Sequence, residues 1–267
     1  MMPVEKERRS SGRQDTGTLG KAVSVLELVA LAESPLRFTD ILAASGQPRG
    51  TLHRQLSHLV EEGLVDLRPD HRYEPGLRLL RFASNSWARN QFRSVAEPHL
   101  RALHEHTGET VHLGILRGRE IIYLDKVESR QAVRMSSQIG NASPAYCTGV
   151  GKAALSVLSD ERLKEIVSGI DFHRFTPSTI ADARTLVEEL QEVRSRGFAF
   201  DREEHEAGIC CVAAPVFSAD RSLVGGISTT GPAYRVTPEQ LAGWAPLVGR
   251  TAAAIMEDMR ARLGPQR

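Results

Sequence analysis

The sequence predicts an α+β protein: a winged helix-turn-helix over residues 18–76, a linker and dimerisation helix over 77–93, and an α/β domain over 94–264, after a polar, disordered tail at 1–17. Three observations carry this. Phe38 to Gly63 reads as two short helices about a glycine-containing turn, the second with a basic outer face. Residues 77–93 combine an apolar stripe with four arginines and no acid. Beyond them, strand-length apolar runs alternate with amphipathic helical ones.

The first helix spans Leu19 to Leu31, with Ala22, Val25, Leu26 and Val29 at helical spacing. The next carries Phe38, Ile41 and Leu42 inward, with Thr39 as its cap, and Ala44 to Gln47 supplies the turn. Pro48 suits a first helical position, where a missing N–H costs nothing. Leu52, Leu56, Leu59 and Val60 then form one buried stripe. Gly50, Thr51, Arg54 and His58 fall on the opposite side, flanked by His53 and Gln55, and Gly63 ends the helix. Leu64 to Leu67 and Arg72 to Glu74 read as a hairpin wing about Pro69-Asp70-His71. In such a domain Arg49, Thr51, His53 and Arg54 meet base edges and phosphates, Thr39, Gly50 and His58 border the same surface, and Arg72 reaches the backbone from the wing. The absence of any acid from Ile41 through Val60 favours double-stranded DNA as the partner.

The linker stripe is Leu79, Leu80, Phe82, Ala83, Trp87 and Phe92, and another helix follows over Val95 to Thr107. Strands are expected at Val111–Leu116, Ile121–Val127 and Ala132–Ser136, a turn at Gly140–Pro144 and a short helix at Gly149–Leu158. Asp182 caps a helix running through Arg196 to Gly197, and strands follow at Phe198–Arg202, Ile209–Phe217 and Leu223–Thr230. Thr237 to Gln240 is a capping box opening a last helix to Leu263. The sum is a mixed sheet flanked by helices.

Composition narrows the classes. A net charge of +1 excludes a polybasic coat protein, and the asymmetry is mild: residues 1–93 hold 14 basic and 11 acidic side chains, the remainder 20 and 22. DNA binding must therefore rest on local placement. The sequence has no 18-residue apolar run, so no membrane association is expected. Cys147, Cys210 and Cys211 give no paired framework, which points to free thiols in a reducing cytoplasm.

Three segments of the second half could meet a ligand. Cys147 to Lys152 is a glycine-rich helix start that offers N–H groups to an anion, without the spacing of a P-loop. On the strand at 209–217, Ile209, Cys211 and Ala213 share a face, and the small pair leaves room for a small molecule or for a close helix. Ser228 and Thr230 put two hydroxyls on one wall. Asp201, His205 and Cys211 are the residue types of a cysteine hydrolase, yet Cys211 lies inside an apolar strand and no strained elbow is present. His104, His106 and His112 lack a carboxylate or cysteine at zinc spacing. No catalytic residue, metal or cofactor is expected.

With those residues in place, the chain resembles the IclR family of bacterial transcription regulators from Thr18 to Leu263. The specific element is Gly197, Asp201 and Glu204 followed by Cys211-Val212-Ala213 and Val216-Phe217. Gly151-Lys152-Ala153 matches the family's helix start, and Thr51 and Arg54 match its recognition helix. Ser218 departs from the pattern, which has Asp or Asn there. The resemblance implies a GAF-like effector domain, homodimers or dimers of dimers, and small organic acids as ligands. It implies a pocket lined by Met135, the backbone at Gly149 and Val150, Asp201, Ile209, Cys211, Ser228 and Thr230. The expected function is a cytoplasmic DNA-binding regulator, acting as a repressor of a catabolic operon and controlled by a small carboxylate. The alternatives are a metabolite-binding protein whose helical N-terminal domain binds another protein, and a cysteine hydrolase.

Overall fold

The computed structural model describes residues 17–131 and 137–263. It divides into two compact units, residues 1–89 and 90–267. The third expected strand, Ala132–Ser136, and nearly all of the N-terminal tail lie outside the described residues.

In the first unit, α1 (Gly17–Ala30), α2 (Phe38–Ser45) and α3 (Arg49–Glu61) enclose a core of Val25, Val29, Ile41, Leu52, Leu56, Leu59 and Val65. Gly46 takes a left-handed φ of 61° at the end of α2, which closes the turn at little steric cost. The wing pairs β2 (Val65–Leu67) with β3 (Arg72–Pro75), and a short β1 (Leu36–Arg37) adds to the other side of β3, a pairing that the two-residue strand gave no sign of in sequence. Pro48 is the N-cap of α3, not its first turn, with φ −58° and ψ 138°. α4 (Leu77–Ala88) buries none of its side chains; Leu77, Leu80, Phe82 and Trp87 are all exposed.

The expected linker to residue 93 stops earlier. Asn90 caps α5 (Gln91–Thr107) by accepting from Arg93 N–H at 3.0 Å, so Phe92 belongs to the second unit's core. Then come β4 (Thr110–Arg117), β5 (Glu120–Val127), β6 (Ala142–Pro144), α6 (Gly149–Ser156), α7 (Asp160–Ser168), α8 (Ala183–Arg196), β7 (Ala199–Arg202), β8 (Ile209–Phe217), β9 (Val224–Pro232) and α9 (Pro238–Leu263). The strands form one sheet in the order β6-β5-β4-β9-β8-β7. Every pairing is antiparallel, which corrects the mixed sheet expected from sequence. The expected turn at Gly140–Pro144 is partly the edge strand β6, which pairs with β5. α7 escaped the sequence reading, although Ser159 caps it and Asp160 and Glu161 sit in its first turn.

Alternation along the strands gives the sheet two buried faces. Val212, Ala214 and Val216 pack with α5 and α9, together with Leu100, Ile227 and Ile255. Ala213 faces the other way with Val150, Leu155, Leu186 and Ala199, beneath α6 and α8. One-residue alternation in β8 therefore separates a dry core from the face that holds the ligand-sized space.

Candidate functional site

On α3 the polar side chains stand in solvent: Arg49, Gly50, His53, Arg54 and His58 are exposed and Thr51 is half-buried. The guanidinium of Arg49 lies over the Phe38 ring at 5.2 Å, and neither Arg49 nor Arg54 has an ion-pair partner among the described residues. Three expectations change here. Thr39 is exposed but does not cap α2; the Arg37 N–H at the N-cap position donates to Asp40 at 2.8 Å, and Thr39 only approaches Asp40 at 3.5 Å. Gln55 does not flank the polar face. It is 4 % exposed, one turn from Leu52 and Leu59, with both ends of its amide unpartnered. Arg72 is tied back, donating to the Pro35 carbonyl at 3.1 Å and lying 3.6 Å from Asp70. Arg68, which the sequence reading passed over, joins the same wing cluster through Asp70 and Glu74.

In the second unit, β4, β8, β9 and the start of α6 enclose a cavity of about 250 Å³. Gly149, Val150, Asp201, Ile209, Cys211, Ser228 and Thr230 all line it. Met135, the remaining expected pocket residue, lies outside the described residues. Register explains the convergence. Asp201 pairs with Cys211, Cys211 with Thr230, and Ser228 with His112, and directly opposed residues on antiparallel strands point to the same face. A Cβ at Gly149 would overlap Cys211 Sγ and press on Ala213, so this glycine lets the helix start lie directly on the strand. A larger groove of about 470 Å³ between α7 and α8 has no buried polar group among its lining residues. It offers a ligand no desolvated partner, so the smaller cavity is the better candidate.

The sequence reading weighs His112 only as a zinc ligand, whereas the structure places it on the cavity wall. Its Nδ1 lies 3.3 Å from Thr230 Oγ1 and 3.5 Å from Ser228 Oγ, and its Nε2 lies 2.7 Å from Ser137 Oγ. Burial, with Lys126 nearby, lowers its pKa to about 3, so the imidazole is neutral. Asp201 is 6 % exposed, and burial, helped by the charge of Glu204, pushes its pKa up to about 7. Its Oδ1 accepts from Glu204 N–H at 2.8 Å. Glu204 in turn holds Lys152 Nζ at 2.5 Å, and Lys152 is 1 % exposed. Thr176 and Thr179 each donate to a backbone carbonyl of the same loop, at 2.6 Å. Lys152, Glu204 and the two threonines thereby fix the loop that carries His205 and Glu206 to the cavity.

Burial drives the Cys211 thiol far above its ordinary pKa, the reverse of an activated nucleophile. His104 and His106 are spent on backbone carbonyls at 2.8 Å, apart from His112. No group of three or more His, Cys, Asp or Glu among the described residues is placed to hold a metal, and no helix of the described residues is long and apolar enough to cross a membrane.

The chain matches two family models: the IclR helix-turn-helix domain over residues 18–69 and the bacterial transcriptional regulator IclR C-terminal domain over residues 85–257. It is 32% identical over 225 residues to the HTH-type transcriptional regulator XynR of Escherichia coli, covering 84% of this chain and 89% of that protein. It is 30% identical over 241 residues to the transcriptional repressor IclR of the same organism, covering 89% and 88%. The crystal structure of the Thermotoga maritima IclR superposes with a TM-score of 0.69 at 33% identity, over 93% of this chain and 99% of that one.

Proposed function

The chain belongs to the IclR family of DNA-binding transcriptional regulators, which are not enzymes, and on that premise we propose a repressor that a small carboxylate releases from its operator. The observation that carries the effector half is the cavity, where a helix start, two hydroxyls and two buried titratable groups converge in a space too small for a drug-sized ligand. The Gly149 N–H already meets the Cys211 sulfur, and the next N–H groups of α6 lack intrahelical partners and favour an anion there. Ser228 and Thr230 supply hydroxyl donors on the sheet wall. Asp201 accepts from a ligand hydroxyl, and Cys211 is a small, soft wall.

The DNA half is assigned to α3. Arg49, Thr51, His53 and Arg54 read bases and phosphates, with Thr39, Gly50 and His58 at the edge of the same surface and Arg72 a lesser contributor. Residues 18–76 serve as the DNA-binding domain, α4 as the linker and the unit from Asn90 onward as the effector domain. The exposed Leu77, Leu80, Phe82 and Trp87 of α4 suit a homodimer seam, and a dimer of dimers can be built from it. Ligand binding then changes operator occupancy by a coupling free energy carried through α4. Repression is favoured because a relative is itself a repressor, and the operator is sought upstream of the chain's own gene and of adjacent catabolic genes in the cytoplasm.

Gel shifts with that upstream DNA test this reading. The wild type is expected to bind it and to release it with the correct acid. Ser228→Ala combined with Thr230→Ala should still bind DNA but respond only at acid concentrations at least tenfold higher, roughly the loss of one or two hydrogen bonds. Failure of the wild type to bind any upstream fragment would leave the protein-binding alternative for the helical unit.

A further inference from the structure

Polar groups occur on every wall of the cavity, more than the carboxylate of a plain alkyl or aryl acid can pair. His112 faces the hydroxyls of Ser228 and Thr230, which lie 3.2 Å from each other. Beside the imidazole stands Tyr123, 5.1 Å away ring to ring and hydrogen-bonded to Ser143. A neutral imidazole has one donor and one acceptor, so its tautomer sets the sense of the whole chain. With the proton on Nδ1, His112 donates to the hydroxyl pair and frees both O–H groups to donate into the cavity, while Ser137 donates to Nε2. With the proton on Nε2, one of the pair donates to Nδ1 and leaves its lone pairs for an incoming donor. The wall can therefore satisfy a ligand acceptor or a ligand hydroxyl. A methylene set against it forgoes that hydrogen bond, worth about 0.5–1.5 kcal/mol for each one, while the wall's own bonds stay made.

Charge sets a second limit. No lysine or arginine lines the cavity among the described residues, whereas Asp201 and Glu206 both do. One negative charge can rest on the N–H groups at the start of α6, whereas a second would lie beside the carboxylate of Glu206. The volume of about 250 Å³ holds only a small molecule.

We propose that His112 is a specificity-determining residue of this cavity and that the ligand it selects is a small monocarboxylate carrying hydroxyl groups along its chain. The proposal rests on the cavity being the effector site. Calorimetric titration of the full chain with matched acids tests it: glycerate against propionate, threonate against butyrate, and tartrate against succinate. At least one hydroxylated monoacid should bind the wild type about tenfold or more tighter than its deoxy partner, and tartrate should bind more weakly than threonate. His112→Leu should shrink that preference to about threefold or less, and His112→Gln, which keeps a donor and an acceptor, should retain part of it. No hydroxylated monoacid binding about tenfold tighter than its deoxy partner, tartrate binding as tightly as threonate, or a preference that survives His112→Leu overturns the proposal. The wild-type comparison decides the ligand class even where a variant does not fold. Gel shifts of the wild type without any acid judge the regulator reading separately. DNA binding without a hydroxyl preference removes only this proposal, and a hydroxyl preference without DNA binding removes only the regulator.

Discussion

On α3, Arg49, His53, Arg54 and His58 stand in solvent, and the two arginines have no ion-pair partner in the described residues. Around the cavity, His112, Asp201, Ser228 and Thr230 are all less than a tenth exposed, and each is bonded to another protein group. The first arrangement keeps its charges available for a partner that brings its own counter-charge. The second spends most of its hydrogen bonds internally and leaves a few directions open. A surface reader tolerates the loss of one side chain, because water replaces it. A buried network does not, because the partner left behind stays desolvated.

The largest test of that contrast lies behind the cavity. Lys152→Met leaves Glu204, whose Oε2 already lacks a partner, with only the long bond from Arg202 N–H at 3.4 Å, whereas Glu189 keeps Arg196 at 2.8 Å. Breaking one side of a buried pair costs about 3–5 kcal/mol, which for a unit of this size lowers Tm by roughly 6–20 °C. Lys152→Met together with Glu204→Leu should recover most of the loss, since an apolar pair of similar volume is near neutral. Calorimetry of both variants checks this. A single variant as stable as the wild type would mean that the pair contributes nothing to holding the loop.

The same contrast decides what could be read without coordinates. α3 was legible because a one-sided stripe at Leu52, Leu56 and Leu59 fixes both the helix and its outer face. Gln55 was misread because an amide on the apolar side of a helix looks, in sequence, like part of the polar face. Three ligand-facing segments were legible because small residues, hydroxyls and a glycine-rich helix start announce themselves locally. His112 was not, because its meaning comes from β4 pairing with β9 across more than a hundred residues, and nothing near position 112 names Ser228 as its neighbour. The short strands β1 and β6 were invisible for a related reason, since two or three residues carry no periodicity.

Stability against pH gives the next, smaller effect. Folded Asp201 keeps its proton up to about 7, whereas the unfolded chain releases it near 3.8, so this group makes stability fall as pH rises through that window. Folded His112 refuses a proton down to about 3, whereas the unfolded chain accepts one near 6.5, so this group makes stability rise with pH between those values. The two slopes oppose each other wherever the windows overlap. Asp201→Asn should uncover the rising limb and His112→Leu the falling one, read as urea midpoints at pH values from about 4 to 8. An unchanged profile for Asp201→Asn would show that the carboxyl does not hold that proton.

On the DNA side the contrast predicts a difference between two arginines of one unit. Arg54 is exposed and has no ion-pair partner among the described residues, so a phosphate gains its whole charge, and Arg54→Ala should reduce the slope of log affinity against log salt by about one. Arg72 is already committed to the Pro35 carbonyl and to Asp70, and Glu74 adds a further negative charge on the same wing. Its approach to a phosphate would mean leaving those partners, and the acids beside it repel the same phosphate. Arg72→Ala should therefore change the salt slope by less than half as much as Arg54→Ala. Filter binding across a salt series measures both. Equal losses would mean that the wing sheds its internal pairs on DNA, and that the division between open surface and closed network holds only for the cavity.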